Sequence, residues 1–528
     1  AGDPNLTDSD GSRSDIGAYP YLTDNTDPVW YTTTAGNDST GTGTSENPFR
    51  SIQAGLNFAS DGHSVIVASG TYPENVIWPD STYKIGVQLL GEDEENTIID
   101  GGWIGRVMTI NSVDATSLMS GFTLANGYLE PGTESGGGMQ IIASDLTLEN
   151  LRIIDNEVSN MGGGVYISQA SPHFKHVLIS NNATGNTGGG VCLNESSNPI
   201  FENVTITGNT AVTPYDGGIS FWSNSSLSLV NSIVWGNTPN EIVFTDWSWI
   251  GTINIDYSDI QGGAEGIISQ DDDTITWGVG NINADPQFVD VIGYNYSLLA
   301  SSPCINSGNP SDLDSDGTIA DMGAYPYLTD HAGSSWNVSS DGSDINGDGS
   351  EEFPFASIQA AINFAGDGHS IIVGSGTFNE NIIFADKTNI YLTGNGSAET
   401  TINGGETSSV AVFENATDIT VNGFTITGGN TTISPDDPYY QLAGGINALS
   451  SNLTLSDLHV TGNTGYSGGG IYCDSYSAIN LSNSLLDYND AGLSGGGLYI
   501  AGQAILDSVD ILYNSAGNSG GIFFSGAR

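Results

Sequence analysis

The sequence predicts an all-β fold, a right-handed single-stranded parallel β-helix, and three observations carry that prediction. Gly-Gly steps end at Gly138, Gly164, Gly190 and Gly218, and again at Gly445, Gly470, Gly497 and Gly521. Their spacings, 26, 26 and 28 and then 25, 27 and 24 residues, belong to a solenoid. Within each period apolar residues alternate with Thr, Ser and Asn, which is strand periodicity. Aligned residues then fall into columns. Leu148, Phe174, Phe201 and Leu229 form one, and Ile153, Ile179, Ile206 and Val234 another. Right-handed coiling follows from the chirality of parallel-strand connections.

The elements follow in chain order. SIQAGLNFA, from Ser51, carries Ile52, Leu56 and Ala59 at helical spacing. It predicts a short amphipathic helix over 51–60 that caps the open edge of the first coil. The same reading applies to 357–366. Val65–Val67 and Ile371–Val373 start the strands, and turns follow at Gly70 and Gly376. Asn156, Asn182, Asn209 and Asn237 form a third column, repeated by Asn463, Asn489 and Asn514. Stacked one strand spacing apart, ~4.8 Å, such residues pass amide hydrogen bonds up a ladder. Asn also tolerates the left-handed backbone that turns between coils require. From about residue 238 to 330 the period breaks, and an irregular closing segment is expected.

A larger repeat encloses these coils. Ser51–Ile77 returns as Ser357–Ile383, 306 residues later, with 8 of 27 positions different and 19 identical. Gly17–Asp24 returns unchanged as Gly323–Asp330. The expected organisation is therefore a closing segment over 1–24, a complete module over 25–330, and a second module over 331–528, the whole being a segment of a longer tandem array.

Composition narrows the partners. Eight basic residues face 61 acidic ones, for a net charge of −53. That charge repels nucleic acids, anionic membranes and polyuronates. No apolar run reaches the ~18 residues of a membrane span. Cys192, Cys304 and Cys473 are too scattered for a disulfide framework and are expected to be buried apolar groups.

Two opening and closing segments carry a resemblance. GTSENPFRSIQAGLNFASDGHSVIVASGTYPENV, from Gly43, is similar to the opening segment of pectin-lyase-like right-handed β-helix proteins of bacterial surfaces. NINADPQFVD and the following YSLLASSPCINSGNPSDLDSDGTIADMGAYPY resemble the closing segment of choice-of-anchor β-helix proteins. The glycine-rich coils are similar to those of polymorphic outer-membrane proteins. The resemblance implies secretion and an extracellular or cell-surface setting.

The residues offer little catalytic signal. Lysines 84 and 387 sit at non-equivalent positions and are expected to be solvated. His63 and His369, beside Asp61 and Asp367, fit turns that hydrogen-bond locally. His173 and His176, three apart in a strand, should face opposite sides, which disfavours a shared metal. No Asp column runs across successive coils, so no catalytic or cofactor-binding residue is assigned. The metal candidates are Asp8, Asp10 and Asp15 with their repeat Asp314, Asp316 and Asp321, and a second loop with Asp344, Asn346 and Asp348. Clustered hard oxygen ligands of this kind suit Ca²⁺, with a metal-free Asx turn as the alternative.

The expected function is a non-catalytic extracellular structural or adhesive protein, its modules forming a rigid rod or filament by end-to-end self-association. The alternative is a carbohydrate-binding or carbohydrate-active protein. Trp103, Trp222, Trp247 and Trp249 would then stack on neutral glycans.

Overall fold

A computed structural model describes residues 27–79, 84–130, 132, 134–212, 217–245, 249–432 and 442–526. The 1–24 segment lies outside them. Two compact units emerge, Ala1–Pro286 with Asn306–Pro326, and Gln287–Ile305 with Tyr327–Arg528.

Among its described residues the first unit winds its coils into parallel sheets of 14, 7 and 4 strands. Register follows the columns of the sequence. Phe174 lies opposite Leu148 on one side and Phe201 on the other. Ile179 lies between Ile153 and Ile206 in the same way. All are fully buried, so the aliphatic columns are the core. The strands used below are β1 (Val76–Trp78), β2 (Leu118–Ala125), β3 (Thr147–Ile154), β4 (His173–Ser180), β5 (Ile200–Thr207) and β6 (Ile219–Phe221).

The second unit repeats the plan in parallel sheets of 9, 6 and 3 strands, plus a two-stranded antiparallel hairpin from Phe288–Asp290 and Asn295–Leu298. Its long strands are β7 (Ile419–Thr427), β8 (Asn452–Thr461), β9 (Ala478–Asp487) and β10 (Gln503–Leu512). Leu455, Leu481 and Leu506 stack across β8, β9 and β10.

The asparagine ladder forms as expected, and its termination adds a detail. Asn156 Nδ2 donates to Asn182 Oδ1 at 2.9 Å, Asn182 to Asn209 at 3.0 Å, and Asn209 to Asn237 at 2.9 Å. Every amide points the same way, so the chain of dipoles ends on a bare N–H pair. Glu241 meets it: Asn237 Nδ2 donates to Oε2 at 2.6 Å and Asn237 N to Oε1 at 3.0 Å. A carboxylate thus replaces the next asparagine at the positive end.

Each opening helix is fixed at three points. α1 (Ile52–Phe58) and α2 (Ile358–Phe364) are capped by Ser51 and Ser357. Glu74 accepts the N–H groups of Ile52 and Gln53 at 2.8 and 3.1 Å, and Glu380 does the same for Ile358 and Gln359 at 2.8 and 3.0 Å. A carboxylate at a helix N-terminus also meets the positive end of the dipole. Gln53 then acts as a short strand: its amide donates to Ile77 O at 2.9 Å and accepts from Ile77 N at 2.8 Å. In this way α1 covers the edge of β1.

The lysines correct the sequence reading. Lys84 Nζ donates to Asn57 O at 2.6 Å, and Lys387 Nζ donates to Asn363 O and Ala365 O at 3.2 and 3.1 Å. Both cap the C-terminal carbonyls of their helices rather than standing in water. Their sequence positions differ, but the long flexible stem lets both ammonium groups reach the same place. His63 and His369 also look further than their turns, accepting from Trp30 Nε1 and Trp336 Nε1 at 3.0 and 3.1 Å. The three cysteines are buried, as expected, and form no disulfide among the described residues.

Candidate functional site

A recurring irregularity in the long strands builds the site. Asn150, His176 and Asn203 have φ of 51, 49 and 53°, in the left-handed region. They occupy one column across β3, β4 and β5. Asp457, Asn483 and Ser508 do the same in β8, β9 and β10, with φ of 49, 48 and 58°. One left-handed residue inside a strand bends it and resets the inward–outward alternation. Hence Lys175 and His176 are both partly exposed while Phe174 and Val177 are buried. His173 and His176 therefore share the outer face, against the expectation that they point apart. Strict two-residue alternation misses this because the bulge lies between them.

The outer face of β3, β4 and β5 carries a charged row. Glu149 pairs in register with Lys175, and Lys175 with Glu202. Lys175 Nζ lies 3.1 Å from Glu202 Oε2, and His173 Nε2 lies 2.9 Å from the same oxygen. Desolvation pulls the Glu202 carboxyl upward, but the hydrogen bonds and charges of Lys175 and His173 outweigh it and hold the group below its ordinary value.

A strap formed by 306–326 crosses this face. Asn203 Nδ2 donates to Asp321 O at 2.8 Å, Gly323 N to Asn231 O at 2.8 Å, and Ala324 N to Thr205 Oγ1 at 2.9 Å. Within the strap Leu313 and Ile319 pair antiparallel, and Asp314 Oδ2 accepts from Asp321 N at 2.9 Å. Between strap and sheet lies a cleft of about 680 Å³, lined by Glu94, His176, Glu202, Asp312, Asp314 and Tyr325 among others.

Burial raises the Asp314 carboxyl to about 6, aided by the charge of Asp316 and opposed by the Asp321 N–H. Burial lowers His176, against the charge of Glu202 and a hydrogen bond to the Ala324 backbone. The Tyr325 phenol is pushed up by burial and stays protonated. The cleft thus combines a carboxyl that holds its proton to about pH 6, a neutral imidazole and a carboxylate that stays ionised. The same face of the second unit carries His459, whose Nε2 lies 2.8 Å from Asp487, beside a concavity of about 350 Å³.

The metal candidates are placed as follows. Asp8, Asp10 and Asp15 lie outside the described residues. Asp316 Oδ1 accepts from Thr318 N and Oγ1 at 3.0 and 2.7 Å, and Asp321 Oδ1 from Asn306 N at 2.7 Å. Asp344 Oδ1 accepts from Ala356 N and Ser357 N, as Asp38 does from Arg50 N and Ser51 N. Asn346 N donates to Ser343 Oγ, and Asp348 Oδ1 accepts from Ser350 N. The contacts of Asp316 and Asp348 are Asx-type turns, whereas Asp321 and Asp344 tie down backbone 12 to 15 residues away. Among the described residues no three His, Cys, Asp or Glu side chains converge where they could hold a metal ion. Nor, among them, is any helix long and apolar enough to cross a membrane.

Sequence reasoning offered Asp314 as a metal ligand and gave Glu202 and His176 no role. Their signal was two adjacent columns of polar residues, 149, 175 and 202 and then 150, 176 and 203, one period apart.

Comparison with known proteins agrees with the fold. Residues 117–277 match the model of a right-handed β-helix region. No curated protein sequence matches the chain. Among solved structures, a pectin methylesterase from carrot is 10% identical, with a TM-score of 0.26 over 51% of this chain and 85% of its own. An alginate lyase of family PL6 is 10% identical, with a TM-score of 0.20 over 86% and 88%. The lacto-N-biosidase of family GH136 from Eubacterium ramulus is 12% identical, with a TM-score of 0.16 over 94% and 67%. Likenesses of this size carry no further argument. The expectation of a non-catalytic protein is nonetheless corrected, because a β-helix fold does not by itself exclude an activity. By its matched region and its sheet topology, this chain contains a right-handed parallel β-helix.

Proposed function

We propose that this chain is a carbohydrate-active β-helix protein whose cleft between the 306–326 strap and the outer face of β3, β4 and β5 cleaves a neutral glycan. The observation that carries the reading is the division of protonation states in one cleft: Asp314 raised to about 6, Glu202 held ionised and His176 neutral. Groups with separated pKa values are what acid–base chemistry on a glycosidic bond requires. Asp314 gives its proton to the bridging oxygen as the bond to the anomeric carbon breaks. A water adds to that carbon and loses its proton to His176. The fixed charge of Glu202 stabilises the positive charge that develops on the sugar. The net charge of −53 favours neutral over anionic chains.

The test is release of reducing ends from neutral oligosaccharides, with polygalacturonate and alginate as anionic comparisons. Asp314→Asn is expected to lower the rate by about 100-fold or more and His176→Gln by a similar factor. Equal rates in wild type and both variants, or cleavage of the anionic chains only, contradict the reading.

A further inference from the structure

A second feature of the first unit lies on a different sheet. Trp222 directly follows β6, in the 7-stranded sheet, whereas the cleft lies over the 14-stranded one. Its backbone is pinned, with Trp222 N donating to Leu193 O at 2.8 Å and Trp222 O accepting from Ser225 Oγ at 2.6 Å. Its indole Nε1 is buried and has no hydrogen-bond partner among the described residues. A buried donor left unpaired is costly, so it calls for an acceptor. The indole borders a cavity of about 10 Å³ lined also by Asn224, Trp249 and Asp273, room for one oxygen atom.

Beside that cavity Trp249 is 52% exposed. Its position is fixed from the next residues: Ile250 N donates to Asn224 Oδ1 at 3.1 Å, and Gly251 N to Asp273 Oδ1 at 2.8 Å. Asp273 Oδ2 accepts from Gln270 N at 2.9 Å. Both carboxylate oxygens thus already receive backbone donors.

We propose that Trp222 and Trp249 form an accessory binding site for a neutral pyranose sugar. The ring lays its C–H face on Trp249, and one hydroxyl oxygen enters the cavity to accept from Trp222 Nε1. A hydroxyl suits the cavity because it brings an acceptor of the right size with no charge to desolvate. A uronate carboxylate would meet Asp273 instead. An apolar face joined to a single polar contact is the signature of sugar stacked on an aromatic ring. The site stands independently of the cleft.

The experiment follows the indole N–H resonances of the ¹⁵N-labelled full chain during titration with cellohexaose, laminarihexaose and mannohexaose. Trp222→Phe identifies the Trp222 resonance by its disappearance and keeps the aromatic bulk. At least one hexaose is expected to shift that resonance saturably, because the donor gains an acceptor. Trp249→Ala is expected to weaken this binding about 10-fold or more, and Trp222→Phe about 2- to 10-fold. Glu202→Gln, in the cleft, leaves the shift unchanged. A Trp222 resonance unmoved by all three hexaoses means that the cavity holds only water, and overturns the proposal. A shift that saturates with unchanged affinity in Trp249→Ala overturns it too. A saturable shift in a chain that cleaves no glycan upholds this site and counts only against the cleft.

Discussion

At the residue scale, buried polar side chains act in series. Asn182 accepts from both N–H groups of Asn156 and donates to Ile153 O and Asn209 Oδ1. Removing it orphans groups in two neighbouring coils. Asn182→Ala is expected to cost about 3 kcal/mol or more in a denaturant titration. Glu241 ends the same ladder, and burial raises its carboxyl to about 7 against the pull of Asn237. Because its folded pKa lies above the unfolded value, its contribution is full below about pH 4.5 and is lost as pH rises through about 7. The difference in stability between wild type and Glu241→Gln should therefore change by roughly 3 kcal/mol at most between pH 4.5 and 8. Chemical unfolding across that range measures it, and a pH-independent difference would count against the assignment.

At the element scale, each unit opens with the same device, a seven-residue helix held by a Glu and a Lys from other segments and by its own Gln. The helix and its position were legible from the spacing of Ile52 and Leu56, and so was its duty as an edge cap. Its fastenings were not, because Glu74 and Lys84 reach it across 22 and 28 residues. The strand columns were legible because stacking forces like residues to recur at one spacing. The cleft was hidden because a single left-handed residue per strand changes which side chains face out. Gln53→Leu removes the two bonds that cover β1 and should destabilise the first unit by about 1–2 kcal/mol. Ile179→Ala empties a fully buried column position and should cost about 2–5 kcal/mol. Denaturant titrations check both, and a neutral Ile179→Ala would contradict the stacked core.

For the whole molecule, charge is the dominant fact. With 61 acidic and eight basic residues, self-repulsion opposes compaction. Raising NaCl from about 20 to 500 mM should raise the melting temperature, because the Debye length shrinks several-fold. Fold class and repeat were written plainly in the sequence. The cleft was not, because its groups come from the β3, β4 and β5 coils and from a strap about a hundred residues further along the chain. Asp314 and Glu202 meet in one cleft through the bonds that Asn203, Thr205 and Asn231 make to that strap.

The most direct test is the pH dependence of neutral-oligosaccharide cleavage by the full chain. The account predicts a bell in the acidic range: an alkaline limb near pH 6 as Asp314 ionises, abolished in Asp314→Asn, and an acid limb as His176 takes up a proton. No cleavage of any neutral glycan between about pH 4 and 8, or an alkaline limb unchanged in Asp314→Asn, would contradict it.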